Sequence, residues 1–318
     1  MILTSDFLVS ACNTAHPYAQ FIAALKVRKV WDVGMLIQKM LGGFSNMSLA
    51  EKYAQIDKLK GWLDSFRPLS PDIVAELKQL FDVRFTYNSN AIEGNTLTQN
   101  ETQLVLEKGI TVGGKTLREH LEVVGHRDAI SYIELLAQKD NAIGEWEIRQ
   151  IHSLLLMTID RTEAGRYRQL DVKAAGTDYV YPPHYLLSEL MTEFVEWLNS
   201  TAAQQLHPID YVAEAHCRFV GIHPFRDGNG RTGRLLMNLL LLRLGYPVVV
   251  LKNEQQIEYI EALVQAQQQN SLAEFKILLL EALRESLIDV LQIVVTAANR
   301  QDKGKDFYNE ILIFLDQA

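Results

Sequence analysis

Apolar residues recur at three- and four-residue spacing along most of the chain, and that period predicts helices. "SLAEKYAQIDKLKGWLDSF" (48–66) reads as one. "SPDIVAELKQLFDVRFTY" (70–87) reads as a second, with Ser70 as N-cap and Pro71 at the first helical position. "REHLEVVGHRDAISYIELLAQ" (118–138) predicts a long helix with a bend at Gly125. "GEWEIRQIHSLLLMTI" (144–159), "YLLSELMTEFVEWLNS" (185–200) and "DYVAEAHCRFVGI" (210–222) predict three more. "RTGRLLMNLLLLRLG" (231–245) follows, stopped by Gly245 and Pro247. "NEQQIEYIEALVQAQQQ" (253–269) and the long run from Ser271 to Arg300 close the main body, and residues 300–318 read as an appended helix.

One stretch breaks the helical period. "GRYRQLDVKAAGTDYVYPP" (165–183) alternates around Gly176-Thr-Asp, the pattern of a β-hairpin. "YPVVVL" (246–251) reads as a short strand. The fold expected is mainly α, a helical bundle with one hairpin. Three regions are expected: a helical N-terminal region over 1–68, a core over 69–284, and a C-terminal helical extension over 285–318.

Composition adds little to this picture and excludes some functions. The chain has 318 residues, 48% of them hydrophobic and 22% charged, ordinary for a globular protein. A net charge of −8 gives nucleic acid no general attraction. Two cysteines, Cys12 and Cys217, make neither a disulfide framework nor a zinc site by themselves and point to a reducing compartment. "LVSAC" (8–12) resembles a lipoprotein cleavage box, but its apolar core is short and Asp6 interrupts it. No run has the ~18 apolar residues of a membrane span. A cytoplasmic location is expected.

Two segments offer to hold phosphate. "GITVGGKT" (109–116) fits the phosphate-loop pattern, which requires a buried strand before it and a helix after it. The preceding "TQLVLEKG" has no β-branched run, and Asp160, the acid to seek as a partner, sits in a helical pattern. A loop between helices is the better reading, with Thr116 as N-cap and Glu119 completing a capping box.

"HPFRDGNGRTGR" (223–234) is chemically more coherent. Its Gly-Asn-Gly, ahead of a helix start, leaves backbone N–H groups free to face an anion, where the helix dipole adds positive potential. Arg231 and Arg234, three apart, share a helix face and can reach one polyphosphate. Asp227 would repel bare phosphate, and makes sense if Mg²⁺ bridges it to phosphate oxygens. His223 is placed to take a proton from a nucleophile. Pro224 stiffens the turn and Phe225 anchors it. Each residue alone reads as a surface pair, a solvated face or a turn, but together they converge on one anion.

The segment resembles the Fic-domain signature, His-x-Phe-x-Asp/Glu-Gly-Asn-Gly-Arg-x-x-Arg, at every constrained position. The resemblance extends over about 85–281. It implies a mostly helical fold and transfer of AMP from ATP to a Ser, Thr or Tyr hydroxyl of a target protein, with pyrophosphate released. On that resemblance His223 is the general base and Asp227 carries Mg²⁺. Gly228, Asn229, Gly230, Arg231, Thr232, Gly233 and Arg234 surround the phosphates. Lys173, Ala174, Ala175 and Gly176 fall in the family's flap over nucleotide and target, and Tyr259 falls where relatives line the adenine pocket.

"SNAIEGN" (89–95) resembles the family's inhibitory motif. Ser89, Glu93 and Gly94 then belong to a helix packed on the site, with Glu93 paired to Arg234. Read alone, Ser89 is a cap, Gly94 a helix end and Glu93 a solvated residue. Gly-Lys-Thr at 114–116 matches the family's link from the inhibitory helix to the next long one. The resemblance implies a protein partner and is compatible with a homodimer. Removal of AMP from a modified protein, and nucleotide binding without turnover, are the alternatives. Related sites also move UMP or phosphocholine.

Overall fold

The computed structural model describes residues 43–173, 180–298 and 308–317. Contacts divide the chain into a large unit, Ser48–Tyr308, and a small one, Met1–Met47 with Asn309–Ala318. Of the small unit, residues 43–47 and 309–317 are described, the latter in the C-terminal helix Tyr308–Gln317, where the apolar period predicts one.

The large unit starts with α1 (Leu49–Ser65), whose N-terminus carries a full capping box between Ser48 and Glu51. Its partner is the long α11 (Ala273–Ala298), joined to it by Lys52–Glu281 at 3.3 Å and by an Arg284 to Gln55 bond of 2.8 Å. α11 runs unbroken across residues 284 and 285.

α2 (Pro71–Ile92) begins as read, with Ser70 accepting from the Ile73 N–H and Pro71 at the first position. It runs further than its apolar period, through "NSNAI", and ends where Gly94 takes φ 93°. α3 (Gln99–Lys108) ends on Gly109 at φ 63°. "GITVGGKT" is therefore the link from α3 to α4 (Leu117–Ala137), with Thr116 and Glu119 forming the expected capping box. Lys115 reaches back to the Thr96 carbonyl instead of facing a ligand. The Thr96 hydroxyl and the Thr116 and Thr96 amides hold the Glu119 carboxyl down at about 2.

α4 passes close to α5 (Glu145–Leu156), and Gly125 is the point of approach. A Cβ there would sit 2.8 Å from the Leu154 carbonyl oxygen and 3.2 Å from that of Leu155. Gly125 thus serves helix packing within an unbroken helix. After α6 (Leu187–Leu198) and the single turn α7 (Thr201–Gln204) come α8 (Pro208–Ile222) and α9 (Asn229–Arg243). α9 is the central helix: residues 231–241 are all buried, against α4, α5 and α8. α10 (Gln256–Gln269) leads into α11.

One β expectation is corrected, and the other falls mostly on residues outside the described ones. Residues 246–251 form no strand; Asn238 of α9 takes their backbone instead, its amide accepting from Val249 N–H at 2.7 Å and donating to Val249 O at 3.0 Å. Of the hairpin, the described flanks show one antiparallel bridge, Lys173 with Val180, and a Tyr181 N–H to Val172 O bond of 3.3 Å. No strand forms among the described residues. Ala174, Ala175, Gly176 and Thr177 lie outside them. Among the described residues, no helix is long and apolar enough to cross a membrane.

The Gly125 contact has a direct consequence. Gly125→Ala should lower stability by about 1–3 kcal/mol, because the obstacle is backbone and cannot rotate away. Denaturant unfolding checks it; an unchanged midpoint would show that the two helices can separate at no cost.

Candidate active site

The signature segment links α8 to α9. His223 ends α8 in the left-handed region, at φ 53° and ψ 57°. For a residue with a Cβ that conformation costs about 1–2 kcal/mol and must be held by its surroundings. Arg168 does much of the holding. It is buried, and its Nε donates to His223 O at 2.9 Å, while Nη1 and Nη2 donate to Leu170 O (2.9 Å) and Pro182 O (2.5 Å). Its own N–H donates to Pro224 O at 2.9 Å. One guanidinium so ties the His-Pro turn to both ends of the 170–182 segment.

The His223 ring stacks on Tyr181, with centroids 3.8 Å apart and planes 18° apart. Nδ1 lies 3.3 Å from Val220 O, which can only accept, so Nδ1 carries the hydrogen and Nε2 keeps its lone pair. Burial, aided by Arg168, outweighs the Val220 bond and lowers the imidazole pKa to about 4. His223 is neutral at pH 7.

Phe225 is the anchor, fully buried, with Asn229 closing the turn above it. Asn229 Oδ1 accepts from the Phe225 N–H at 2.9 Å and its Nδ2 donates to Phe225 O at 2.8 Å. Gly228 then takes φ 77° at the N-cap of α9. Beneath it lies His152 of α5, stacked on Phe225 at 3.7 Å and 2°. The Gly165 N–H donates to His152 Nδ1 at 2.9 Å, so Nε2 carries the hydrogen and donates to Asp227 O, also at 2.9 Å. Burial lowers the His152 pKa to about 4.

The charged groups form a ring. Asp227 Oδ1 accepts from the Gly228 N–H (2.6 Å) and from Arg231 Nη2 (3.2 Å), and its Oδ2 from Arg118 Nη2 (3.0 Å). Glu122 Oε1 lies 3.2 Å from Arg118 Nε and 3.7 Å from Arg231 Nη1. Asp227 is half-exposed and Arg231 is buried. Mg²⁺ keeps most of its ligands as water and phosphate oxygens and asks the protein for one or two carboxylates. Asp227 fits that demand, and the Oδ2 held by exposed Arg118 is the replaceable contact.

Arg234 is buried to 1% exposure. Its Nε donates to Ser89 Oγ at 3.0 Å, and Nη2 donates to Ser89 O at 2.7 Å and Glu93 Oε1 at 2.8 Å. Burial works against its charge, but Glu93 and Tyr259 outweigh this and hold its pKa above the ordinary value. Among the described residues Nη1 meets no acceptor in hydrogen-bonding geometry, the Tyr259 side chain being its polar neighbour, and it lies 3.1 Å from where a Gly230 Cβ would be. Two segments 141 residues apart thus meet at one guanidinium.

Other expected site residues lie elsewhere. Thr232 is fully buried, and a Cβ on Gly233 would contact Val220, His216 and Phe219 of α8. Both face the core. Tyr259 is buried, its hydroxyl 2.9 Å from His216 Nε2 and its ring 5.8 Å from the Arg234 guanidinium. It braces Arg234 and is not an open adenine wall. Lys173 lies at the bridge by the hairpin's base. Arg168, His152, Tyr181 and Glu122 were not anticipated. Outside the signature, a lone buried residue leaves no local pattern to find.

Residues 142–241 match the model of the Fic/DOC family. The chain is 31% identical to a Fic domain containing signaling protein from Bacteroides thetaiotaomicron, at TM-score 0.68, covering 79% of this chain and 99% of that one. The chain belongs to the Fic/DOC family. The helical Fic fold is also shared with Fic-1 (residues 134–508) from C. elegans, at 31% identity and TM-score 0.71, over 78% of this chain and 73% of that one. Among curated relatives, Protein adenylyltransferase Fic of Nematostella vectensis is 36% identical over 266 residues, 83% of this chain and 59% of the relative. That of Culex quinquefasciatus is 36% identical over 263 residues, 82% of this chain and 50% of the relative. The chain therefore spans about half the length of these curated relatives.

Burial of the imidazoles sets a pH dependence. His152 and His223 are held at about 4 and His216 at about 3, all below the ordinary 6.5. Between these values the unfolded chain binds protons that the folded Fic domain refuses, so stability is present above about pH 6.5 and falls as pH drops toward 4. A thermal midpoint flat above pH 7 and declining below 6.5 is expected. By NMR the His223 ring should begin to titrate only below about pH 5; titration near 6.5 would show an ordinary, solvated base.

Proposed function

We propose that this Fic protein is an autoinhibited protein adenylyltransferase, moving AMP from ATP to a Ser, Thr or Tyr hydroxyl. The observation that carries this reading is Arg234. It is a buried cation beside the Gly-Asn-Gly turn whose countercharge, among the described residues, is Glu93, on Nη2. A buried guanidinium in that setting calls for an anion, and the start of α9 supplies backbone donors for the same one.

In the proposed reaction His223 Nε2 takes the proton of the target hydroxyl, and the hydroxyl oxygen bonds to the α-phosphorus. The bond from that phosphorus to the β-phosphate bridging oxygen breaks, and pyrophosphate leaves. Gly228, Asn229 and Gly230 cradle the phosphates, while Arg231 and Arg234 hold the distal ones. Asp227 would hold Mg²⁺, which when bound neutralises phosphate charge. The protein's share is placement and fixed charge. A cleft of about 630 Å³, lined by Gly221, Ile222, Pro182, Ala266, Gln267 and Asn270 among others, reaches the residue before His223 and is our choice for the nucleoside. The segment Lys173, Ala174, Ala175 and Gly176, expected from the sequence to form the flap, takes the target strand in this reading.

Glu93 blocks the reaction by occupying Arg234 Nη2. Glu93→Gly should raise auto-modification from labelled ATP and Mg²⁺ by roughly tenfold or more, and His223→Ala added to it should abolish the gain. Mass spectrometry reads both. No gain from Glu93→Gly removes the inhibitory role. Release of free AMP from an AMP-bearing protein by wild type would instead make removal of AMP the activity, with Glu93 positioning water.

A further inference from the structure

The catalytic turn rests on a residue outside the signature. We infer that His152, 71 residues before His223 in the chain, is the positioning residue of the Gly-Asn-Gly phosphate cradle. It acts through a single hydrogen bond to the Asp227 carbonyl.

Both ring nitrogens and one ring face have defined partners. Nδ1 accepts from Gly165 N–H and Nε2 donates to Asp227 O, each at 2.9 Å. The first bond dictates the tautomer that makes the second, because a neutral imidazole has one donor and one acceptor. The ring lies flat on Phe225, itself fixed at both backbone polar groups by Asn229. It also underlies Gly228, where a Cβ would meet His152 Cδ2 at 3.3 Å and Nε2 at 3.4 Å. The peptide whose oxygen His152 holds is the one whose N–H belongs to Gly228. Fixing that oxygen sets the plane of a peptide whose N–H is itself held by Asp227 Oδ1 at 2.6 Å, and with it the entry into α9 at φ 77°, from which the Asn229 and Gly230 N–H groups follow.

His152 touches no reacting atom in this arrangement; it sets where the donors point. The inference rests on the adenylyl-transfer reading for what the cradle binds, but the positioning itself can be measured without turnover.

Two substitutions separate the two ring bonds. In His152→Gln the amide NH₂ can stand for Nε2–H and keep the bond to Asp227 O, losing the acceptor for Gly165. In His152→Asn the shorter amide can keep the Gly165 bond and loses the reach to Asp227. Both lose the stacking. Hydrogen exchange by mass spectrometry, on the full chain carrying Glu93→Gly, should show opposite patterns. Asn should open peptides covering 226–231 and leave 160–166 near the parent; Gln should do the reverse.

MgATP affinity by calorimetry should fall about tenfold further for Asn than for Gln, the size typical of an outer-shell hydrogen bond. Equal exchange at 226–231 in both variants, or greater opening with Gln, overturns the inference. Should His152→Asn not fold, Gln decides alone: it must protect 226–231 as the parent does while 160–166 opens. A parent that neither binds nor transfers nucleotide defeats the adenylyl reading, and the exchange comparison still decides the role of His152.

Discussion

Everything around this site follows from burying one guanidinium. Arg234 sits in the first turns of a helix whose next seven residues are also buried. A cation in that position cannot rely on water, and an unpaired one would cost several kcal/mol. The fold answers with Ser89, which supplies both its hydroxyl and its carbonyl, and with Glu93, which supplies the countercharge. Below, Tyr259 braces the guanidinium and is held in turn by His216, stacked on Phe275. The end of α2 is further fastened by Asn253 to Asn88 and by Gln256 to Ile92. The helix bearing Glu93 is thus docked by several neutral bonds that do not depend on the carboxylate. Removing the carboxylate therefore changes the charge at the site without undocking the helix.

The signature turn meets a different requirement, the placement of a neutral imidazole and a row of N–H donors on a connector only six residues long. Short connectors are accurate only when their peptide groups have fixed partners. Here Arg168 fixes the carbonyl of His223, Asn229 both polar groups of Phe225, and His152 the carbonyl of Asp227. Alternate sides of the turn are held by different elements, so no one helix can shift it alone. The strained backbone of His223 is supported by this framework. Tyr181, in covering the imidazole, also ties His223 to the end of the segment that follows Lys173.

How much of this the sequence disclosed depends on whether the cause was local. Helix starts are local: Ser70 with Pro71, and Thr116 with Glu119, announced α2 and α4 because the capping atoms lie within three residues of what they cap. The signature was legible for the same reason, and Glu93 through the motif around it. Non-local causes were not. "YPVVVL" has a strand's composition, but Asn238 claims its backbone and leaves nothing for a ladder. The packing role of Gly125 was hidden because its neighbour α5 is invisible from α4. Tyr259 sits at the expected position, yet a helix period cannot tell a ring facing a ligand from one facing Arg234. His152 and Arg168 carry the turn, but buried histidine and arginine in amphipathic surroundings have no spacing to betray them.

Gly230 joins the two halves of the site. A Cβ there would overlap Glu93 Oε1 and lie 3.1 Å from Arg234 Nη1. The hydrogen in its place leaves a pocket bounded by a cation and by the first peptide groups of α9, the space an incoming phosphate needs under the proposed reading. Glu93 already stands in it. Inhibitor and substrate would then compete twice, for the same positive charge and for the same volume. Charge alone would make a weak switch, since a polyphosphate outweighs one carboxylate that is a third exposed. Excluded volume does not weaken with exposure or salt. Under the proposed reading, a phosphate would settle against Gly230 only after Glu93 had moved out of that space.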